Sequence, residues 1–304
     1  MTTTDIELRE AEPADAAAML DVIRAAFSAR PPVDPPADAL GDTVDDISAA
    51  LSSGTGLLAL IGGDLVGCLL ISQADDRIGL YRVSVLPNAQ HEGVAGHLVR
   101  GAALLGLDLG ATSVEIMARS EFPKLIAWWG GHGFAVEREV PHGVVMSRPL
   151  PTRVLVPTAD AMHALGERLA GRLRPGDLII SSGDLGAGKT TLTQGIGAGL
   201  GVEGPVISPT FVISRVHPNR SGPPLVHVDA YRLGSAAELE DIDLEATLAD
   251  SVTMVEWGEG IAEWLTDERL DIDIERGDDP ADDTREVYLT GYGARWNHGA
   301  LEGL

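Results

Sequence analysis

The sequence predicts an α/β fold organised in two domains, residues 1–150 and 151–304. The length of 304 residues is enough for two domains that each bury a core of their own. Each half contains a glycine-bearing loop that lies between a short apolar run and a helix-length segment. Two prolines, Pro149 and Pro151, follow the last strand pattern of the first half and mark the boundary.

The composition is that of a globular chain without a membrane segment. Hydrophobic residues make up 44%, yet no apolar run reaches the length of about 18 residues that a membrane helix needs. The first residues lack the basic start and apolar core of a signal peptide, so we expect a cytoplasmic protein. The single cysteine, Cys68, excludes an intrachain disulfide and a cysteine zinc site. The net charge of −24 repels phosphate backbones, so we expect a partner to hold any RNA.

The first half alternates strand and helix patterns. The predicted elements are a strand at Ile6–Leu8, a helix ending near Phe27, a short helix at 47–51, a hairpin of 56–61 and 65–71, and a strand at 78–86. The residues that follow this last strand read Q-x-x-G-x-A, from Gln90 to Ala95, and open a helix that continues to Leu107. Backbone amides at a helix start, with glycine permitting close approach, suit a pyrophosphate.

These residues, together with the later Gly133-Phe134 that ends a helix, resemble the Gcn5-related N-acetyltransferase (GNAT) family across about residues 5–150. The resemblance implies a mixed central sheet with helices, and acetyl-coenzyme A bound with its pyrophosphate on the amides of Gln90 to Ala95. The implied acetyl-coenzyme A residues are Val85, Gln90, Gly93, Val94 and Ala95.

The first half also departs from the GNAT pattern. Glu92 lies in the phosphate-facing turn, where the family usually has glycine or basic residues. Trp129 stands where the family often has a tyrosine, and an indole N–H cannot reprotonate a leaving thiolate. Tyr81 or a water can act as that acid instead. The first half is therefore either an acetyltransferase or a degenerate domain kept for packing or for contact with a partner.

The second half is organised around the segment 183–191, which reads G-D-L-G-A-G-K-T-T. An apolar strand, Asp177–Ser181, precedes this phosphate loop and a helix-length segment follows it, which is the context that the motif requires. Lys189 would reach the β- and γ-phosphates, and Thr190 would offer its hydroxyl to Mg²⁺. The candidate nucleotide-binding residues of the loop are Gly183, Gly186, Ala187, Gly188, Lys189, Thr190 and Thr191.

Two acids follow two further apolar strands. Asp229 ends the run Val226–Asp229, and Glu256 ends the run Val252–Glu256. In a parallel sheet the carboxyl ends of the strands meet at one edge, so both acids should lie beside the phosphate loop. One of them should hold Mg²⁺ and one should orient the attacking water. The loop Ser208–Phe211, called the sensing loop below, stands where a nucleotide-sensing switch would lie.

The phosphate loop, S-P-T-F, H-V-D-A-Y-R-L and V-E-W-G-E follow one another in an order that closely resembles the bacterial TsaE family, across about residues 153–297. The resemblance implies a P-loop NTPase fold with a central, mainly parallel sheet, and an ATPase that works with TsaB and TsaD to make threonylcarbamoyladenosine in transfer RNA. TsaD would transfer the threonylcarbamoyl group, and ATP turnover would reset the complex. Thr190 and Glu256 would serve Mg²⁺, Asp229 would lie near the γ-phosphate, Trp257 would close the site and Thr210 would belong to the mobile loop.

Two alternatives remain open from the sequence. A P-loop kinase for a small acceptor would need an arginine-rich lid, but the region after Tyr231 is acidic. The second alternative is a nucleotide-gated module whose first half senses acyl-coenzyme A.

Two local features complete the second half. Glycines at 195, 197 and 199 each cost the helix after the phosphate loop about 1 kcal/mol relative to alanine, so packing and bound phosphate must hold it. The acidic loop 277–283 predicts a solvated turn.

Overall fold

The computed structural model describes residues 6–233, 235–277, 282–296 and 299–304. The chain divides into two compact units, Met1–Leu150 and Pro151–Leu304, and each unit contains one seven-stranded sheet. No helix in the described ranges is both long enough and apolar enough to cross a membrane. Most of the predicted acidic turn, residues 278–281, lies outside the described residues.

Up to residue 108, the first unit has its strands and helices in the predicted order. Its strands are β1 (Ile6–Glu10), β2 (Thr55–Ile61), β3 (Asp64–Ala74), β4 (Arg77–Val85), β5 (Ser113–Arg119), β6 (Ala135–Val140) and β7 (Gly143–Pro149). Its α-helices are α1 (Ala16–Ser28), α2 (Val44–Ser53), α3 (Val94–Asp108) and α4 (Pro123–Gly131). Short 3₁₀ turns lie at Pro13–Asp15, Asp38–Leu40 and Pro87–Ala89.

The sheet of the first unit is mixed, with strand order β1-β2-β3-β4-β5-β7-β6. Only β4 and β5 pair in parallel, and their pairing runs from Arg77–Ser113 to Leu80–Ile116. Beyond Leu80 the two strands have no paired residues, which opens the sheet at the end where α3 begins. Helix α3 packs on one face of the sheet, and α1 with α2 packs on the other, because strand residues alternate between the two cores.

The second unit also carries a mixed sheet. Its strands are β8 (Thr152–Val156), β9 (Leu178–Ser182), β10 (Ser214–His217), β11 (Leu225–Asp229), β12 (Val252–Glu256), β13 (Arg269–Arg276) and β14 (Arg285–Gly291). Its α-helices are α5 (Ala159–Ala170), α6 (Lys189–Leu200), α7 (Ala236–Glu240) and α8 (Glu245–Leu248). Short 3₁₀ turns lie at Ala230–Arg232, Glu263–Leu265 and Ala294–Trp296.

The strand order of this sheet is β10-β11-β12-β9-β13-β14-β8. The predicted α/β class is confirmed, and the parallel part of the sheet is its four central strands, β11, β12, β9 and β13. The outer strands pair antiparallel. The connection from β13 to β14 is too short for a crossover helix, so these neighbours form a hairpin.

Helices α5 and α6 lie unusually close together because glycines line their contact. A Cβ placed on Gly195 would lie 2.1 Å from the carbonyl oxygen of His163, and one on Gly166 would lie 2.4 Å from that of Leu192. Neither distance leaves room for a methyl group, so the backbones themselves are in contact. The helix after the phosphate loop is held by this packing.

Candidate functional site

The phosphate loop joins the carboxyl end of β9 to the start of α6. Strand β9 is buried in the middle of the sheet, and the loop leaves it through Gly183, Gly186 and Gly188, which have φ of 137°, 80° and 118°. L-residues with a side chain rarely adopt these angles. At Gly183 a Cβ would also lie 2.4 Å from the carbonyl oxygen of Ile274 on β13. The loop conformation therefore favours glycine at these three positions, of which Gly183 and Gly188 are the glycines of the G-x-x-x-x-G-K-T motif.

Lys189, the first residue of α6, folds back over the loop. Its Nζ donates to the carbonyl oxygens of Gly183 at 2.6 Å and Asp184 at 2.9 Å, and lies 3.7 Å from the centre of the Trp257 ring. Burial lowers the pKa of this ammonium, and the carboxylates of Glu256 and Asp229 act in the opposite direction. A cation is thus held inside the concavity of the loop.

Glu256 ends β12, beside the phosphate loop. In the sheet it pairs with Ser181 of β9, and its Oε2 accepts a hydrogen bond from Thr190 Oγ1 at 3.0 Å. Its Oε1 lies 2.8 Å from His227 Nε2 and 3.2 Å from Thr193 Oγ1. The hydroxyl and carboxylate oxygens of Thr190 and Glu256 are hard donors of the kind that Mg²⁺ prefers.

Asp229 ends β11 and pairs with Glu256 in the sheet. Its Oδ2 accepts from Thr210 Oγ1 at 2.6 Å and from Ser208 Oγ at 3.2 Å. Its Oδ1 accepts from the backbone N–H of Tyr231 at 3.2 Å. The sensing loop is therefore tied to a strand-end acid through two hydroxyls, while Phe211 at its end is 83% exposed.

Trp257 directly follows Glu256 and turns its ring over the loop. Its backbone N–H donates to the carbonyl oxygen of Ser181 at 2.8 Å, and its φ of 62° lies in the left-handed region that bulky residues rarely adopt. The ring centre lies 5.2 Å from that of Tyr231. This backbone turn carries the indole to Lys189.

The structure thus brings the predicted residues of the second unit together at one edge of the sheet. It also adds three that the sequence analysis did not single out: Thr193, Ser208 and His227. His227 stands two residues before Asp229 on the same strand, so both face the same side, and that alternation was the available signal. Among the described residues, no group of three or more His, Cys, Asp or Glu side chains is arranged to hold a metal ion.

The predicted acetyl-coenzyme A residues lie where β4 and β5 separate. Val85 lies beyond Leu80, the last residue of β4 that pairs with β5. Helix α3 begins at Val94, later than the glutamine of the motif, and Gly93 precedes it with a φ of 82°. Gln90 and Gly93 are exposed and Ala95 is half-buried, whereas the Val94 side chain is buried in the core. Val94 can therefore face a ligand with its backbone but not with its side chain.

The two aromatic residues considered for acid chemistry differ in their surroundings. Trp129 is 4% exposed, and its ring centre lies 4.9 Å from that of Phe134 in the core. Tyr81 is half-buried on the side of the sheet covered by α1 and α2, and burial raises its pKa. Cys68 is fully buried, and burial raises the pKa of its thiol to about 12, so it behaves as an apolar residue.

Comparison with known proteins finds two family models in this chain. The model of the threonylcarbamoyl adenosine biosynthesis protein TsaE matches residues 156–287. The model of the acetyltransferase (GNAT) family matches residues 18–134. The two matches fall on opposite sides of the division between the compact units.

Individual relatives agree with the first of these models. The tRNA threonylcarbamoyladenosine biosynthesis protein TsaE of Streptomyces coelicolor is 62% identical over 138 residues, which cover 44% of this chain and 93% of that protein. The protein of the same name from Bacillus subtilis is 42% identical over 138 residues, covering 45% of this chain and 84% of that protein.

Among solved structures, the PaiA N-acetyltransferase of Thermoplasma acidophilum in complex with coenzyme A aligns with a TM-score of 0.44 and 14% identity. The alignment covers 48% of this chain and 99% of that one. On the strength of the Streptomyces and Bacillus relatives, the chain belongs to the TsaE family through its second half, and residues 18–134 of its first half match the model of the GNAT family.

Proposed function

We propose that this chain is an ATPase that serves the synthesis of threonylcarbamoyladenosine in transfer RNA. The observation that supports this most is the convergence of Lys189, Thr190 and Glu256 at the phosphate loop, with Thr190 Oγ1 3.0 Å from Glu256 Oε2. The choice of this modification rests on the names of the TsaE relatives described above. ATP would be the substrate of this chain, and transfer RNA in the cytoplasm would be the substrate of the complex that it serves.

The residues of the loop would divide the work of binding ATP. Backbone amides of the phosphate loop and of the first turn of α6 would face the phosphates, because glycines and a helix start allow such amides to converge on one point. Lys189 would exchange the carbonyl oxygens of the loop for the β- and γ-phosphates. Trp257 would close the site over the nucleotide, and Thr210 would act from the sensing loop.

Thr190 and Glu256 would hold Mg²⁺. Two protein oxygens are a fitting set for this ion, since Mg²⁺ usually takes one or two protein groups and completes its shell with phosphate oxygens and water. When bound, Mg²⁺ would neutralise charge on the phosphoryl oxygens. Asp229, the neighbouring acid, would orient the attacking water, and its bonds to Ser208 and Thr210 would link that water to the sensing loop.

ATP turnover should depend on the proposed partners TsaB and TsaD. Arg232, within the H-V-D-A-Y-R-L motif, is the candidate arginine for this role, but its guanidinium lies over the exposed Phe211 ring of the sensing loop, 4.9 Å from the ring centre. A partner would therefore supply or position the missing stabilisation. Transfer RNA would reach the complex through those partners, because a chain with a net charge of −24 repels it.

The test is complementation in cells that lack their own TsaE. The full chain should restore threonylcarbamoyladenosine, quantified by mass spectrometry of digested transfer RNA, and the Lys189→Ala chain should not. In parallel, ATP turnover should rise when purified TsaB and TsaD are added. Restoration by Lys189→Ala, or equal turnover with and without the partners, would contradict the proposal.

We further infer that the first unit binds acetyl-coenzyme A through Val85, Gln90, Gly93, Val94 and Ala95. The separation of β4 from β5 and the glycine at the start of α3 support this. Calorimetric titration of the full chain with acetyl-coenzyme A should give a saturable signal. Gly93→Val should weaken it, since a β-branched residue is strained at a φ of 82°, and should leave ATP affinity unchanged.

A further inference from the structure

We propose that His227 is a positioning residue that holds the carboxylate of Glu256 in the orientation in which Glu256 and Thr190 bind Mg²⁺. The inference rests on the proposed function of the phosphate loop and adds a residue to it. His227 lies on β11 and Glu256 on the neighbouring β12, and Nε2 of the first is 2.8 Å from Oε1 of the second. The two side chains are 0% and 3% exposed, so water does not compete for this bond.

Among the hydrogen bonds to Glu256 Oε1, the one from His227 is the bond whose hydrogen is not shared with another acceptor. Oε2 receives the hydroxyl of Thr190. Oε1 has Thr193 Oγ1 at 3.2 Å, but that hydroxyl is closer to the carbonyl oxygen of Lys189, at 2.9 Å. A hydroxyl has one hydrogen, so Thr193 shares it between two acceptors. The imidazole has no such competitor among the described residues.

The geometry also assigns the proton on the ring. If His227 carried its hydrogen only on Nδ1, the lone pair of Nε2 would face a carboxylate lone pair at 2.8 Å, which is repulsive. The hydrogen therefore sits on Nε2. Nδ1 is buried and has no hydrogen-bond partner within the described residues. A buried polar atom without a hydrogen-bond partner is unusual in a folded protein. Here the ring orientation that leaves Nδ1 unpaired is the one that brings Nε2 to Glu256.

A second buried histidine lacks this bond and serves as an internal comparison. His217, on the edge strand β10, is 3% exposed, and its ring centre lies 6.2 Å from that of His227. Its Nε2 also has no partner within the described residues. The two rings are thus alike in size and burial, but within the described residues only His227 is hydrogen-bonded to a candidate metal ligand.

Loss of the His227 bond should weaken metal binding more than it weakens nucleotide binding. Without a fixed donor, the Glu256 carboxylate can rotate and no longer hold Thr190 Oγ1 in place. Residues that orient a metal ligand typically contribute about 10–100-fold to metal affinity. Lys189 Nζ is bonded to the carbonyl oxygens of Gly183 and Asp184 and not to Glu256, so we expect the phosphate-binding part of the loop to keep its geometry.

The experiment measures Mn²⁺ binding by electron paramagnetic resonance, with the full chain and the slowly hydrolysed analogue ATPγS. Binding of ATPγS in EDTA is measured separately by calorimetry. Four variants are compared: His227→Leu, His227→Asn, His227→Gln and His217→Leu. The amide nitrogen of Gln reaches about as far as Nε2, whereas that of Asn ends near Nδ1 and cannot reach Glu256. Gln and Asn therefore form a polar pair that differs in reach alone.

We expect His227→Asn and His227→Leu to weaken Mn²⁺ binding by about 10–100-fold. His227→Gln and His217→Leu should stay near the wild type, and all five proteins should bind ATPγS alike in EDTA. Equal Mn²⁺ affinity for the Gln and Asn variants would overturn the inference, even if the Leu variant does not fold. Absence of ATPγS binding to the wild type would be a different failure, because it would remove the proposed nucleotide site and this inference with it.

Discussion

The ammonium of Lys189 is enclosed between the phosphate loop and the Trp257 ring, with Nζ 3.7 Å from the ring centre. Its hydrogen bonds go to the carbonyl oxygens of Gly183 and Asp184 in the loop. A cation over an indole face is a favourable contact of about 0.5–2 kcal/mol, so it is easily exchanged for a charged phosphate. Nucleotide binding should therefore change the surroundings of Trp257 directly.

This contact predicts a fluorescence signal from one particular tryptophan. Addition of ATPγS and Mg²⁺ should change the tryptophan emission of the wild type, because Lys189 leaves the Trp257 ring. Trp257→Phe should lose the change, and Trp264→Phe, a matched control with a ring that is 40% exposed, should keep it. A full signal from the Trp257→Phe protein would show that the ring does not sense the nucleotide.

Asp229 should matter for turnover more than for affinity. Its side chain accepts from Thr210 and Ser208 and lies in register with Glu256, which places it beside rather than on the phosphate loop. Asp229→Asn keeps the shape of the side chain but removes its charge. We expect ATP hydrolysis with TsaB and TsaD to fall about 10²–10⁴-fold, the usual contribution of a positioned acid or base, while ATPγS affinity changes little.

Single-turnover hydrolysis would measure this, with Asp241→Asn as the control. Asp241 is exposed on the acidic stretch after the strand, and its substitution makes the same change in net charge. If both variants slow hydrolysis equally, the effect belongs to overall charge and not to the position of Asp229.

The order of elements around this site was predictable because each signal is local. A glycine loop between an apolar run and a helix pattern predicts strand, loop and helix, and the structure has β9, the loop and α6 there. Asp229 and Glu256 followed from one further rule, that carboxyl ends of parallel strands meet at one edge. Neither inference needed knowledge of side-chain orientation.

The contacts that depend on register and on close packing were beyond the sequence. His227 and Glu256 lie on the neighbouring strands β11 and β12, but they are not opposite each other, because the residue paired with Glu256 is Asp229, two positions after His227. The left-handed backbone of Trp257 has no signal in its residue type. Helix propensity indicates only that Gly195 destabilises its helix. The structure shows why a larger residue does not fit at this position, because the carbonyl oxygen of His163 is too close.

The contribution of Asp271 to the stability of the second unit should fall as the pH rises from about 4 to about 7. Burial raises the pKa of Asp271 from 3.8 to about 7, and Arg269, whose Nε is 3.1 Å away, acts to lower it. Within that window the folded chain holds a proton that the unfolded chain has released, so stability is lost with increasing pH. The side chain is 21% exposed, which moderates the effect to about 1–3 kcal/mol.

Asp271→Asn cannot ionise and should flatten this part of the pH profile. Thermal melting between pH 4 and pH 8 would compare it with the wild type and with Asp267→Asn, an exposed acid nearby. Parallel profiles for wild type and Asp271→Asn would mean that the carboxyl of Asp271 does not titrate in this window.

Gly195→Ala should destabilise the chain although helix propensity favours alanine. Propensity alone predicts a gain of about 1 kcal/mol for alanine inside a helix. The added methyl group, however, would lie 2.1 Å from the carbonyl oxygen of His163, a backbone atom that cannot move without α5. Overpacking of this kind costs about 1–3 kcal/mol or more, so the clash exceeds the gain.

Gly130→Ala in α4 is the matched control, because a Cβ there meets nothing within 4 Å. Chemical denaturation should show a lower midpoint for Gly195→Ala and an equal or higher one for Gly130→Ala, whereas a stabilised Gly195→Ala would mean that the two helices separate at little cost.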